Sequence, residues 1–305
     1  MTNEMTSALD KFLREFELTL PESQRWENLT LANDFMFGKV MRNPELCTEM
    51  IRRILPDMDI GRIEFVQPQK SEKYSFDTRG VRFDVFAKSD NRKIFDCEIQ
   101  TSDKKDLPRR TRAYHIMLGL EALNTEYMKK SGTYNDIPDA FVIFICTFDP
   151  FSAGRHIYTF SNTCSEVDGL KLNDGAVTLF LNAKGKADDI NGELKVFLDL
   201  MLGKSADDPF IKRLEAQMKI ERQNSEWRRN YMIQVLHDWE RRNEGREEGR
   251  IEGRAEGIAE GRKEGIAVGR EMERNDILNK ATELLKSKGI STEEINIFRN
   301  SILQS

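Results

Sequence analysis

Three polar side chains on two neighbouring segments have the types and spacing to do chemistry together. The stretches GVRFDVFAK (80–88) and KIFDCEIQT (93–101) flank the turn-rich Ser89-Asp90-Asn91 and read as a β-hairpin. With a period of two, Val81, Phe83, Val85 and Ala87 share one face of the first strand; Arg82, Asp84 and Phe86 share the other. In the second strand Phe95, Cys97 and Ile99 oppose Asp96, Glu98 and Gln100. Matching the apolar faces predicts Ala87 against Phe95, Val85 against Cys97 and Phe83 against Ile99, with a loop at 88–94. That register sets Asp84 directly opposite Glu98, with Gln100 two residues further on. Carboxylates so paired have side-chain origins about 4.5–5.5 Å apart and repel. A hard divalent cation between them reverses the sign. Mg²⁺ characteristically takes one or two carboxylates and fills its shell with water and substrate phosphate, and can activate that water. The residues alone leave a second reading open, a solvated polar face on an edge ribbon. The run Lys104, Lys105, Arg109, Arg110, Arg112 follows at once. It reads either as a grip on a phosphate backbone or as a solvated helix start, where cations gain nothing from the helix dipole.

The elements needed to hold this hairpin are legible around it. The apolar spacing from Leu31 to Leu55 predicts one or two amphipathic helices broken at Asn43-Pro44. RIEFVQ (62–67) reads as a strand, and 107–128 as a helix with Pro108 in its first turn. DAFVIFICTF (139–148) is almost continuously apolar, as in a strand covered on both faces. HIYTFSN (156–162) and AVTLFLN (176–182) read as strands, and GELKVFLDLMLG (192–203) as a helix ending at glycine. This order predicts an α/β domain with a mixed sheet and helices on both sides. The expected divisions are a peripheral segment at 1–30, the α/β domain at 31–205 and a helical tail at 206–305.

Composition narrows the class. At 39% hydrophobic and 32% charged, the 305 residues suit a soluble globular chain with one very polar segment. No run of about 18 apolar residues predicts a membrane span. The start, MTNEMTSALDKF, lacks the pattern of a secretory leader. Cys47, Cys97, Cys146 and Cys164 are widely spaced, which fits reduced cytoplasmic thiols. His115, His156 and His237 are isolated, and none is assigned to catalysis. A net charge of −5 excludes a globally basic nucleic-acid binder, though not a locally basic groove.

The polar segment is a repeat. Glycine recurs at 245, 249, 253, 257, 261, 265 and 269, with Glu before each of the first six and mostly Arg after. On a helix the glycine stripe lies between a Glu stripe and an Arg stripe. Interior glycines cost about 1 kcal/mol each relative to alanine, so a lone helix is poorly supported. Packing glycine face on glycine face in a homodimer would repair this. The period of four exceeds 3.6, so continuous contact would require a right-handed supercoil. A flexible charged linker is the other reading.

Asp84 followed by Glu98-Ile99-Gln100 resembles the D…(D/E)xK signature of PD-(D/E)XK nucleases. It is similar in particular to the branch of PD-(D/E)XK nuclease family transposases and the recombination-promoting nuclease (Rpn) family, where glutamine commonly replaces the motif lysine. Asn33-Asp34-Phe35-Met36-Phe37 is similar to the branch's NDxxF helix, and Arg112 and Tyr114 fall on its central helix pattern. The segments 148–162 and 172–185 resemble its later parts. The resemblance covers about 30–203. It implies a restriction-endonuclease-like core and Mg²⁺-dependent cleavage of double-stranded DNA, with Mn²⁺ as a substitute. Asp84 and Glu98 would hold the metal, and Gln100 would stand where a lysine orients the attacking water. Asp34 is an accessory carboxylate or a helix cap, and Tyr114 a further accessory. A lysine at position 100 is expected to preserve or raise activity. The competing class is a non-catalytic DNA-binding or oligomerisation protein descended from a nuclease.

Overall fold

A computed structural model describes residues 3–72, 81–124, 128 and 133–303. Gly80, the side chains of Val81 and Arg82, and residues 125–127, which the expected elements included, lie outside what is described. The chain forms two compact units, 1–233 and 234–305.

The first unit is built on a six-stranded mixed sheet. In chain order the strands are β1 (Ile63–Glu72), β2 (Val81–Ser89), β3 (Lys93–Gln100), β4 (Asp139–Cys146), β5 (Ile157–Phe160) and β6 (Ala176–Asn182). They lie in the order β1-β2-β3-β4-β6-β5. β3, β4 and β6 run parallel, and the remaining neighbours are antiparallel. The apolar run read from 139–148 is therefore an interior parallel strand, buried from Phe141 to Cys146.

Helices cover both faces. α2 (Asp34–Val40), α3 (Pro44–Ile54), α4 (Leu107–Leu123), α5 (Gly192–Met201) and α6 (Pro209–Arg222) follow the sequence pattern, whereas α1 (Asn3–Thr19) lies in a segment for which no helix is expected. The break between α2 and α3 falls at Asn43, whose side chain accepts from the N–H groups of Glu45 and Leu46 and caps α3 ahead of Pro44. Beyond α5, Gly203 takes a left-handed conformation (φ 78°) that other residues adopt only with strain. Under α4 an aromatic layer runs through Phe83, Phe86, Tyr114, Phe144 and Phe180. The other face of β3 and β4 is buried too, with Phe95 stacked on Phe141 at 5.1 Å.

Two features go beyond the expectations. First, the segment at 1–30 contributes buried side chains to the first unit. Trp26 is fully buried, its indole N–H donates to the Arg222 carbonyl, and Arg222 returns a bond to the Leu29 carbonyl. The few apolar residues among the charges (Leu13, Leu20, Trp26, Leu29) anchor this segment. Second, Phe83 does not stay with Val85 and Ala87. It packs on Phe86 and Tyr114 on the α4 side, because the strand's alternation breaks at Asp84.

The second unit contains most of α7 (Ser225–Ser287), a 63-residue helix, followed by α8 (Thr292–Leu303). The glycine repeat is thus helical throughout. A Cβ added at any of its seven glycines would meet nothing within 4 Å. Gly289 (φ 81°) ends α7. Ser291 and Glu294 then form a reciprocal capping box at the start of α8, with Ser291 Oγ donating to Glu294 Oε2 at 2.6 Å.

Candidate active site

The β2–β3 hairpin pairs in the register its apolar faces require. Val85 faces Cys97, Ala87 faces Phe95, and Lys88 faces Ile94. The turn is tighter than the expected 88–94 loop. Arg92 adopts φ 62°, and the Lys93 N–H reaches the Ser89 hydroxyl.

At the other end the backbone ladder stops at Val85 and Cys97, and side chains take over. Glu98 Oε1 accepts from the Asp84 N–H at 2.9 Å, and Asp84 Oδ2 accepts from the Ile99 N–H at 2.9 Å. The two carboxylates are interlocked, each bound to the opposite strand's backbone. This is why like charges tolerate adjacency here. It also explains why Phe83 leaves its predicted face, since the expected pairing of Phe83 with Ile99 has given way to these bonds.

α4 completes the constellation. Tyr114 donates its hydroxyl to Glu98 Oε2 at 2.7 Å. Arg110 donates through Nη2 to the same Glu98 oxygen (3.3 Å) and to the Tyr114 hydroxyl (2.7 Å), and through Nη1 to Gln100 Oε1 (3.0 Å). Arg110 and Tyr114 are four residues apart, one turn on one helix face. Burial pushes the Glu98 carboxyl above its ordinary range, against the pull of Tyr114, Asp84 and Arg110 toward the charged form. Burial and then the Glu98 charge raise the Tyr114 hydroxyl, so it stays a donor.

Asp96, two residues before Glu98, enters the sequence reading only as part of the polar face. It is completely buried, and its carboxyl lies beside that of Glu98, to which it can donate once protonated. Burial, then the charges of Glu98 and Asp84, push its carboxyl well above the usual range. The signal available in the sequence is the alternation itself, which places Asp96 beside Glu98 on the α4 side.

Asp84, Glu98 and Gln100 line an open cavity of about 1090 Å³ together with Asp34, Lys104, Arg109, Arg110 and Tyr114. It lies at the carboxyl end of the parallel strand β3, where open α/β sheets characteristically bind ligands. Of the five basic residues singled out by sequence, three reach this cavity. Lys105 is exposed and paired with Asp103, and Arg112 is not in the lining. Asp34 joins the cavity as the first residue of α2, while the capping role falls to Asn33, whose side chain accepts from the Met36 N–H. No histidine lines the cavity. Another cavity, of about 760 Å³ among α1, α6 and the start of α7, is lined by groups already paired, such as Glu17 with Arg228.

The donor set suits a hard divalent cation. A carboxylate offers about four acceptor positions, and Glu98 spends one on Oε1 and two on Oε2. Among the described residues, no group of three or more His, Cys, Asp or Glu could hold a metal ion by itself. Two carboxylates completed by water and phosphate is the form that Mg²⁺ sites commonly take.

A family model described as PD-(D/E)XK nuclease family transposase matches residues 31–248. The chain belongs to this family. No curated protein and no solved structure matched it. The PD-(D/E)XK match covers the whole sheet and every residue lining the carboxylate cavity except Ser23 and Thr30. It supports a nuclease-like or mobile-element function. No helix among the described residues is long and apolar enough to cross a membrane.

Proposed function

We propose that this PD-(D/E)XK protein is a metal-dependent DNA endonuclease that hydrolyses phosphodiester bonds, linked to recombination or mobile elements and acting in the cytoplasm. The observation carrying this reading is the interlocked Asp84–Glu98 pair at the floor of a cavity whose rim bears Lys104, Arg109 and Arg110. Asp84 and Glu98 would hold Mg²⁺, or Mn²⁺ in its place. The cation would activate a water and neutralise the charge that develops on the attacked phosphate. Lys104 and Arg109 would engage the flanking phosphates of double-stranded DNA, setting register without reading sequence. Tyr114 and Arg110 restrain Glu98 Oε2 and so hold the carboxylate in place beside Asp84.

The tail would join two copies in a parallel homodimer. With glycine faces together, a two-fold axis along the helices sets each Arg flank against the partner's Glu flank. A perpendicular axis sets like against like. Two active sites would then serve two DNA strands.

The deciding experiment is plasmid cleavage in Mg²⁺ or Mn²⁺ by wild type and by Asp84→Asn. Cleavage by wild type alone supports the reading. Equal cleavage by both removes Asp84 from the chemistry. A wild type that binds duplex DNA and never cuts it establishes the alternative, a non-catalytic DNA-binding descendant.

A further inference from the structure

Gln100 is the residue of this site whose role depends most on orientation. An amide side chain has an acceptor end and a donor end, and the two ends support opposite functions. Turned one way, Gln100 accepts a hydrogen bond from water and orients it for attack. Turned the other way, it donates to an anion.

Arg110 settles which end faces the cavity. A guanidinium has five N–H donors and no acceptor, so only the amide oxygen can meet it. Gln100 Oε1 accepts from Arg110 Nη1 at 3.0 Å. The amide Nε2 is therefore the end left for the cavity, and no protein group among the described residues bonds it. Arg110 is itself fixed on its far side by Glu98 and Tyr114, and its Cζ lies 5.4 Å from the Tyr114 ring centroid. Three of its donors are engaged, leaving two for a ligand. Its side chain is about one-third exposed, which is enough to reach that ligand.

We propose that Gln100 and Arg110 act as one donor unit, in which Arg110 locks the amide so that Gln100 Nε2 and the spare guanidinium N–H groups bind a non-bridging oxygen of the attacked phosphate. Arg110 thereby supplies the positive charge that neutral Gln100 lacks, and Gln100 does not orient the water through its oxygen. The inference rests on the nuclease reading above. It reverses the expectation that lysine at position 100 is benign. An ammonium there cannot accept from Arg110, and it sets two cations side by side.

The test uses the full chain, with binding and cleavage measured separately. Binding of a labelled duplex is followed by anisotropy in Ca²⁺, and cleavage is followed in Mg²⁺. Gln100→Glu is nearly isosteric and keeps the acceptor for Arg110, but places a negative oxygen where the amide donor was. It should retain its thermal midpoint and lose duplex affinity by roughly tenfold or more, with cleavage falling further. Gln100→Lys should also be impaired. The exchange Gln100→Lys with Arg110→Gln should recover much of the loss, because the introduced ammonium can then donate both to the introduced amide and to the phosphate. A Gln100→Glu protein that binds and cuts like wild type would overturn the donor assignment while leaving the nuclease intact. So would an active Gln100→Lys protein that gains nothing from the second substitution. A wild type that neither binds duplex nor cleaves it overturns the nuclease reading, and this inference with it.

Discussion

Arg–Glu pairs occur in both units of the molecule, and they do opposite things. In the β3–α4 site, Arg110 meets Glu98 at 3.3 Å with the Glu98 side chain 2% exposed. In the tail, Arg250 meets Glu247 at 2.6 Å with side chains 64% and 55% exposed. The closer pair is the less consequential one. Water screens the tail pair and competes for both partners, and two long side chains lose freedom to hold it. Glu98 is almost fully buried, so each donor it loses costs more than a donor lost at the surface. Distance therefore does not rank these pairs. Burial ranks them, together with how many other bonds each partner holds.

The sharpest way to break that contrast is to neutralise the buried carboxylates without changing their shape. Asp84→Asn and Glu98→Gln should each reduce metal-dependent plasmid cleavage to background. Alanine is a poorer probe. Each carboxylate also accepts a backbone N–H from the facing strand, so truncation leaves a buried donor unsatisfied, at a cost of about 1–3 kcal/mol. A Glu98→Gln enzyme with substantial Mg²⁺-dependent activity would remove Glu98 from the chemistry.

The next effect is on stability. Arg110→Ala should cost about 1–3 kcal/mol in urea unfolding, because buried Glu98 loses one of its donors. Arg250→Ala should leave the midpoint unchanged within error. Equal shifts in the two variants would refute the distinction between the regions.

Asp96→Asn should move stability the other way. The native carboxyl is fully buried beside Glu98 and Asp84, whose charges push it toward the protonated form. An uncharged near-isostere removes that like-charge repulsion and should raise the urea midpoint. A destabilised Asp96→Asn protein would mean that the Asp96 carboxyl makes a hydrogen bond to Glu98 that the amide does not replace.

The smallest thermodynamic change, with a clear assembly readout, belongs to the tail. Alanine at Gly253, Gly257 and Gly261 raises helix propensity but blocks close approach of a second helix. Helicity by circular dichroism should hold or rise while sedimentation of the full chain shifts toward monomer. A dimer that survives the triple substitution would place its interface elsewhere.

These contrasts also mark what can be read from the sequence. The hairpin register is legible because the apolar faces of 83–87 and 95–99 admit one alignment, and the central strand because 139–148 is apolar throughout. The three motif residues follow from that register. Arg110 is legible only as a positive charge. Its turn into the site depends on α4 packing across the sheet, which no local spacing encodes. The anchoring of residues 1–30 is not legible because their composition is polar, while four apolar side chains decide where they sit. Asp96 is hidden in plain alternation. Period two gives the face but not whether that face meets water.

The interlocking of Asp84 and Glu98 has a consequence for how such an enzyme comes into being. Both side chains are held by the facing strand's backbone, so the arrangement cannot exist before β2 and β3 have joined. Its remaining restraints come from α4, and β3 is completed by pairing with β4, more than forty residues further along the chain. A nascent or damaged chain thus carries the motif letters without the arrangement. A nuclease activity resting on this pair would in this way be tied to completed folding. Cleavage measured along a denaturant titration should track the native fraction, with no active species persisting after the sheet is lost.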